Sequence, residues 1–398
     1  MKYLLSIFVL FNTISASSYS LQNIEEKLQK THPLYLSIEE QKSANLAKIR
    51  GEYASNPYVL SGSGAKAKPS NNDEEFEYSV EVGKTFLLGD AKAKSLNIAK
   101  LNNEAISLEL ERELLAFSNH VKLLYHTSCL SKEQREFFEE SYSDFEKLYT
   151  KKEKAYKYQE ISKKELLSLK IEKAVLKQKL QSLKADEEIS KFALLDLLEL
   201  KNKGSNELFC HDLYPMEFSE TNSPNIFLLS KRAYKAKILG ARKSAKLYDR
   251  RFESIDISAG YDNEIDMERY GIGVSLPLSF TSKTNEYKKI AALHNQKVLK
   301  LQQQNMFLEK ERKFKQLKSK LENEKNIIHL TEDNIHAYET ELLPLVKKSY
   351  QFGKSSVVEY LLSKQKLWQL YETLNINKKI YYETLFELYT VAEIKEKK

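Results

Sequence analysis

Beyond its N-terminus this chain has no apolar stretch long enough to cross a membrane as a helix, and its mean hydropathy is −0.54. The one apolar run opens the sequence. Lys2 precedes Tyr3–Ile14, and the small residues Ser15, Ala16, Ser17 and Ser18 follow. A positive residue, a short apolar core and a small-residue exit read as a secretory signal peptide, too short to span a bilayer and stay there. We expect it to occupy 1–18, with cleavage after Ser18. No cysteine lies near that point, so no lipoprotein anchor is expected. The mature chain then leaves the cytoplasm, and membrane insertion requires something other than an apolar helix. Catalytic signatures are also missing: there is no nucleophile elbow, phosphate loop or run of metal ligands. We therefore expect no enzyme activity, no cofactor and no metal site. His329 and His336 share one helix face, a spacing that packing or solvation accounts for. Only four methionines occur, and no Met or His cluster signals a copper or silver cargo. The net charge of +7 comes from basic residues that alternate with acidic ones along helical stretches. That is a solvated face, not a nucleic-acid surface.

Glycine and proline are scarce, 11 and 7 in 398 residues, as in a chain of long helices. The glycines gather at 51–89 and 260–273. Between them apolar residues step by three and four: Leu110, Leu114, Phe117, Val121 and Leu124, or Phe138, Tyr142, Phe145 and Tyr149. Ile335, Tyr338, Leu342 and Leu345 repeat the step, as do Leu367, Leu370 and Leu374. That is a coiled-coil seam.

The glycine-rich islands have a different period. Phe76, Tyr78, Val80 and Val82 alternate with polar residues and glycine. So do Ile255, Ile257, Ala259 and Tyr261, and again Tyr270, Ile272, Val274 and Leu276. Period two gives one apolar and one polar face. Each stretch has about the ten-residue length of a tilted transmembrane strand. Two strand pairs cannot close a barrel alone, and an open edge is not tolerated in lipid. Closure requires several chains.

The sequence also repeats. A displacement of 194 carries Phe76, Tyr78, Val80 and Val82 onto Tyr270, Ile272, Val274 and Leu276. It also carries Tyr156, Tyr158, Ser162 and Glu165 onto Tyr350, Phe352, Ser356 and Glu359. Each half reads as a rising helix, a strand hairpin, a long descending helix, a turn and another rising helix. Residues 90–156 and 284–350 descend without a break, each about 100 Å long. Rising helices are expected at 24–55, 163–200, 224–253 and 357–393, each pair stacking to about the length of one descending helix. The halves are 19–200 and 223–398, joined by a linker at 201–222 that lies near mid-height.

Leu343-Pro344, Tyr350, Gly353, Ser356, Leu361, Gln365 and Leu367 resemble the second-hairpin signature of the TolC family of outer-membrane efflux proteins. Tyr270–Leu278, ending in Pro277-Leu278, looks like that family's last strand, and His32-Pro33-Leu34 and Asn56-Pro57 suit positions flanking its first helix. The resemblance implies a mainly α fold with a β-barrel part. In it a homotrimer forms a twelve-stranded transmembrane barrel, four strands per chain, continued by a periplasmic α-helical coiled-coil barrel. It implies a passive export duct in the outer membrane of a Gram-negative bacterium, extending into the periplasm. Its partners would be a periplasmic adaptor and an inner-membrane transporter, with lipid around the barrel and no nucleic acid. Phe76, Tyr78, Val80, Val82, Tyr270, Ile272, Val274 and Leu276 would face lipid. Tyr158, Gln159, Ser162, Phe352, Gly353 and Ser356 would form the adaptor-docking tip. Glu359 and Glu165 would line the periplasmic gate, with Lys354, Lys163 and Lys164 as candidates to offset their repulsion. Gln159 stands where the second turn has Gly353, so the first turn is expected to be less sharp. The alternatives are a periplasmic adaptor, which would show one hairpin between all-β domains, and a structural coiled-coil protein.

Two cysteines remain. Counted by helix rise, Cys129 and Cys210 fall within about 15 Å of the same height. An oxidising compartment favours a disulfide between them. Two free thiols, or a Cys2His2 metal site with His126 and His211, also fit.

Overall fold

The computed structural model describes residues 18–68, 75–198, 207–211, 213–216, 226–249, 252–265, 267–278 and 282–395. Residues 1–17, where the leader is expected, and most of the expected linker at 201–222 lie outside the described residues. Helices dominate: α1 (Leu21–Thr31), α2 (Pro33–Tyr53), α3 (Ala91–Lys157), α4 (Lys163–Leu197), α5 (Leu228–Leu247), α6 (Thr284–Ala337), α7 (Leu343–Gln351) and α8 (Val357–Ala392). The strands are β1 (Ser18–Tyr19), β2 (Val59–Ala67), β3 (Glu75–Leu87), β4 (Glu207–Leu208), β5 (Ser254–Glu264) and β6 (Met267–Ser275). No described helix is long and apolar enough to cross a membrane.

Several boundaries differ from the sequence reading, each for a local reason. The first descending helix is unbroken for 67 residues. The second is not: a π-helical turn at Tyr338–Leu342 separates α6 from α7. Pro344 has no N–H, and its ring would meet the carbonyl four residues back in a regular helix. Widening the turn relieves the clash: the Leu343 N–H bonds Tyr338 O, five residues back. The first rising helix is split at His32, whose ψ of 131° is extended. Pro33 disfavours the helical conformation in the residue before it, and His32 Nδ1 accepts from the Leu34 N–H at 3.2 Å. Further on, α5 is shorter than 224–253, so α5 and α8, with 20 and 36 residues, fall short of a descending helix.

The chain forms two compact units, and each draws on both sequence repeats. One comprises the described residues of Met1–Leu36, Leu114–Ile226 and Lys310–Lys398. Within it α3, α4, α6 and α8 bury the apolar stripes seen as the three-four step. Phe138 and Phe145 meet Leu169, Leu176, Val357, Leu361 and Trp368 in one cluster. Leu317, Leu321, Ile328 and Ile335 meet Tyr381, Leu385 and Leu388 in another. At roughly 25 cal/mol per Å² these stripes, not helix propensity, hold the unit together. The same unit contains a short parallel pair, β1 with β4, which joins the first described residues to the linker.

The other unit comprises Ser37–Glu113 and Phe227–Glu309. Its four-stranded antiparallel sheet runs β2-β3-β5-β6, leaving β2 and β6 as edges. Below it α5 packs a small-residue face, including Ala233, Ala236, Gly240 and Ala241. A Cβ added at Gly240 would stand 3.0 Å from Asn102 Oδ1 of α3, so glycine permits this close approach.

Candidate functional site

The sheet sorts its side chains by register, because residues directly opposite in an antiparallel pair share a face. One row joins Leu60, Val82, Ala259 and Ile272; the next joins Gly62, Val80, Tyr261 and Tyr270. Phe76 and Tyr78 extend this face on β3, and Val274 extends it on β6 beside Ile257 and Lys84. The structure therefore puts Phe76, Tyr78, Val80, Val82, Tyr270, Ile272 and Val274 on one face, while Leu276 lies just past β6. These large side chains are exposed in the single chain, Ile272 by 83%. Tyr78, Tyr261 and Tyr270 make a ladder of rings with centroids 6.1 and 5.2 Å apart. The opposite face has Ser61, Glu81, Gly260 and Gly271 in one row and Ser63, Ser79, Asp262 and Arg269 in the next. β2 has little apolar alternation of its own; the Phe76 ring lies over Gly64 and covers the bare backbone.

The two helical turns are alike atom for atom. α3 ends with the Glu160 N–H on Ala155 O at 3.0 Å and the Gln159 N–H on Tyr156 O at 2.9 Å. After α7 the Lys354 N–H meets Ser349 O at 2.9 Å and the Gly353 N–H meets Tyr350 O at 3.1 Å. Both are Schellman turns with a left-handed residue. Gln159 adopts φ 61° and Gly353 φ 69°, so the first turn is as sharp as the second; its hydrogen bonds offset the strain that a Cβ brings there. Ser162 Oγ then accepts from the Glu165 N–H at 3.1 Å, and Ser356 Oγ from the Glu359 N–H at 3.2 Å, capping α4 and α8. Tyr158 and Phe352, 194 residues apart, are 79% and 77% exposed at the two tips. Glu165 is half-buried and Glu359 exposed in the first turns of α4 and α8, where a carboxylate also suits the helix dipole. Neither forms an ion pair with Lys163, Lys164 or Lys354 among the described residues.

The linker is held by a clasp that sequence reasoning missed except for its sulfurs. Cys129 of α3 and Cys210 are disulfide-bonded, with Cα atoms 5.4 Å apart. One turn earlier on α3, Tyr125 Oη donates to Phe209 O. From α8, Tyr382 Oη donates to Tyr214 O at 2.6 Å. His126 is fully buried between them, ringed by Tyr125, Tyr214, Tyr382 and Phe386. Its Nε2 accepts from the Tyr214 N–H at 2.9 Å, so Nδ1 carries the proton and donates to Lys122 O at 2.7 Å. Burial, with the Lys122 charge adding to it, lowers the imidazole pKa to about 4, against the pull of that carbonyl. His126 is thus engaged on both nitrogens, His211 meets the Phe209 ring edge-on, and both sulfurs are bonded to each other, so these residues are not a metal set.

A two-faced, open-edged sheet and two repeated helical hairpins are the elements of the fold of the outer-membrane channels of the TolC family. The outer membrane channel CmeC of Campylobacter jejuni matches 93% of this chain and 85% of its own, with TM-score 0.75 and 13% identity. The outer membrane protein VceC of Vibrio cholerae matches 94% and 95%, with TM-score 0.74 and 14% identity. The MtrE outer membrane channel of Neisseria gonorrhoeae, in its open state, matches 94% and 88%, with TM-score 0.74 and 14% identity. No family model and no curated protein matches the chain.

Proposed function

We propose that this chain is the outer-membrane channel of a tripartite efflux or secretion system, a passive duct with no chemistry of its own. The sheet carries the reading: one face apolar through its middle rows and flanked by Lys84 towards one end and by Lys66, Asn263 and Glu268 towards the other, one polar face, and edges at β2 and β6 left open among the described residues. In lipid those edges must be paired. Three copies joined edge to edge, β6 of one to β2 of the next, would make a twelve-stranded barrel with the apolar face outward and the polar face lining the duct. The paired hairpin tips, with Tyr158 and Phe352 exposed, would then meet a periplasmic adaptor fed by an inner-membrane transporter. An adaptor or a purely structural coiled coil has no use for such a sheet.

The test is a charge placed by row. Lysine for Ile272, at the middle of β6, is expected to cost on the order of 2–4 kcal/mol per chain and to abolish heat-modifiable trimer in membranes. Val274→Lys should cost less, because its row already contains Lys84. Ser275→Lys, on the polar face opposite Asp256, should leave the trimer intact. Equal trimer yields for Ile272→Lys and Ser275→Lys would remove the lipid-facing assignment.

The gate rests on the same assembly. Threefold symmetry would bring three Glu165 and three Glu359 to the periplasmic entrance, where like charges repel and attract cations. In a planar bilayer, Glu165→Gln with Glu359→Gln is expected to lower cation selectivity and weaken block by a multivalent cation. Wild-type selectivity and block in that variant would limit both carboxylates to complementing the helix dipole.

A further inference from the structure

We propose that a basic cavity at the foot of the sheet binds the phosphate of an anionic phospholipid. The inference rests on the membrane reading above and names a lipid that the barrel would select. The cavity has a volume of about 460 Å³ and lies between α3 and α5. Lys94, Arg242, Lys243 and Lys246 line it over an apolar floor that includes Ala93 and Leu239. Asp90 is the one acidic residue in the lining and pairs with Lys94 at 3.0 Å. The location follows from the chain path. β3 ends at Leu87 just before α3, α5 ends at Leu247 shortly before β5, and the Leu88 N–H bonds Glu253 O at 2.9 Å between the two connections. If the sheet spans the outer membrane, this cavity faces the headgroups of the leaflet where the strands end.

The charge pattern of α5 singles out this end. Its 20 residues include seven basic and no acidic side chains, unlike the mixed signs along the long helices α3, α4, α6 and α8. In its first half Arg232 meets Glu104 at 3.5 Å and Lys237 meets Glu109 at 2.6 Å. Towards the sheet the compensation stops: Arg242, Lys243 and Lys246 have no carboxylate partner among the described residues. Three uncompensated cations over an apolar floor repel one another and attract an amphiphilic anion. A phosphodiester accepts hydrogen bonds from a guanidinium and from ammonium groups at once, while its acyl chains leave along the apolar face. Free phosphate satisfies the cations but leaves the apolar floor uncovered, so the lipid is the better fit.

The test uses the purified full-length protein, inserted into vesicles and then examined by native mass spectrometry. Phosphatidylglycerol is expected to occupy the wild type about tenfold better than phosphatidylcholine, since each cation near an anionic lipid surface adds a several-fold factor. Arg242→Gln with Lys243→Gln and Lys246→Gln should insert equally well and lose that preference. Lys315→Gln with Lys320→Gln and Lys325→Gln, the same charge removed elsewhere, should keep it. Failure of the wild type to insert into vesicles would overturn the membrane reading and this site with it. Insertion without a phosphatidylglycerol preference, or a preference that survives in the cavity variant, would overturn the site alone. Release of phosphatidylglycerol by millimolar inorganic phosphate would reassign the cavity to a free anion and overturn the lipid assignment.

Discussion

Serine in place of Cys129 or Cys210 is expected to cost about 4 kcal/mol of stability. The bond joins residues 81 apart, and the chain entropy it removes from the unfolded state grows with the logarithm of that loop. The cost falls on stability more than on geometry. Tyr125 on Phe209 O, Tyr382 on Tyr214 O and the β1–β4 pair still hold the linker when the sulfurs part. Intact mass after alkylation should show no adduct without reductant and two with it. Thermal unfolding of the wild type should move down by several degrees on reduction, while the serine variant, already low, should not respond. Full alkylation without reductant, or a melting temperature insensitive to reduction, would remove the disulfide from the account. A bonded pair is also what an oxidising compartment predicts, and it agrees with the secretory leader expected at 1–18.

What the sequence made legible was whatever repeats. The strand faces came from period-two alternation at 76–82, 255–261 and 270–276. The hairpin turns came from a displacement of 194, and the structure repeats their hydrogen bonds at that displacement, down to the Ser162 and Ser356 caps. Features that depend on one residue in its surroundings did not show. A proline after leucine was read as a family signature, but the π turn it forces depends on how the helix absorbs a missing N–H. A non-glycine at 159 suggested a softer turn, yet the flanking Schellman bonds are backbone bonds and do not depend on the side chain. β2 was hardest to place, because Ser61, Gly62, Ser63 and Gly64 have no apolar face until Phe76 supplies one. The basic run of α5 did not stand out from charges that alternate in sign elsewhere, and only the fold shows which of its cations lack a carboxylate partner. The His126 environment was hidden for the same reason: Tyr214 and Tyr382 approach it from distant parts of the chain.

Acidification from pH 6.5 to 4 is expected to weaken the protein by about 3 kcal/mol at His126. The imidazole has an ordinary pKa near 6.5 when unfolded, and burial lowers it to about 4 in the fold. Across that window the unfolded chain binds a proton that the folded chain refuses, so stability rises with pH there and is fully present above 6.5. The cause is specific. Nε2 is already an acceptor for the Tyr214 N–H, and protonation would set two donors against each other in a buried ring of aromatic side chains. The charged groups around it do not compensate. Lys122, on the same helix, adds a second positive charge and is itself engaged by Glu25 of α1 at 3.8 Å. The linker and α8 present Tyr214, Tyr382 and Phe386, none of them anionic in this range. His126→Gln keeps one acceptor for Tyr214 and one donor for the Lys122 carbonyl but cannot titrate. Its chemical-denaturation midpoint should therefore fall less than that of the wild type between pH 6.5 and 4, even if it starts slightly lower at pH 7. Carboxylates titrate in both proteins at the acid end, so the difference between the two curves is the measured quantity. Parallel curves across the whole window would show that His126 carries none of the acid sensitivity.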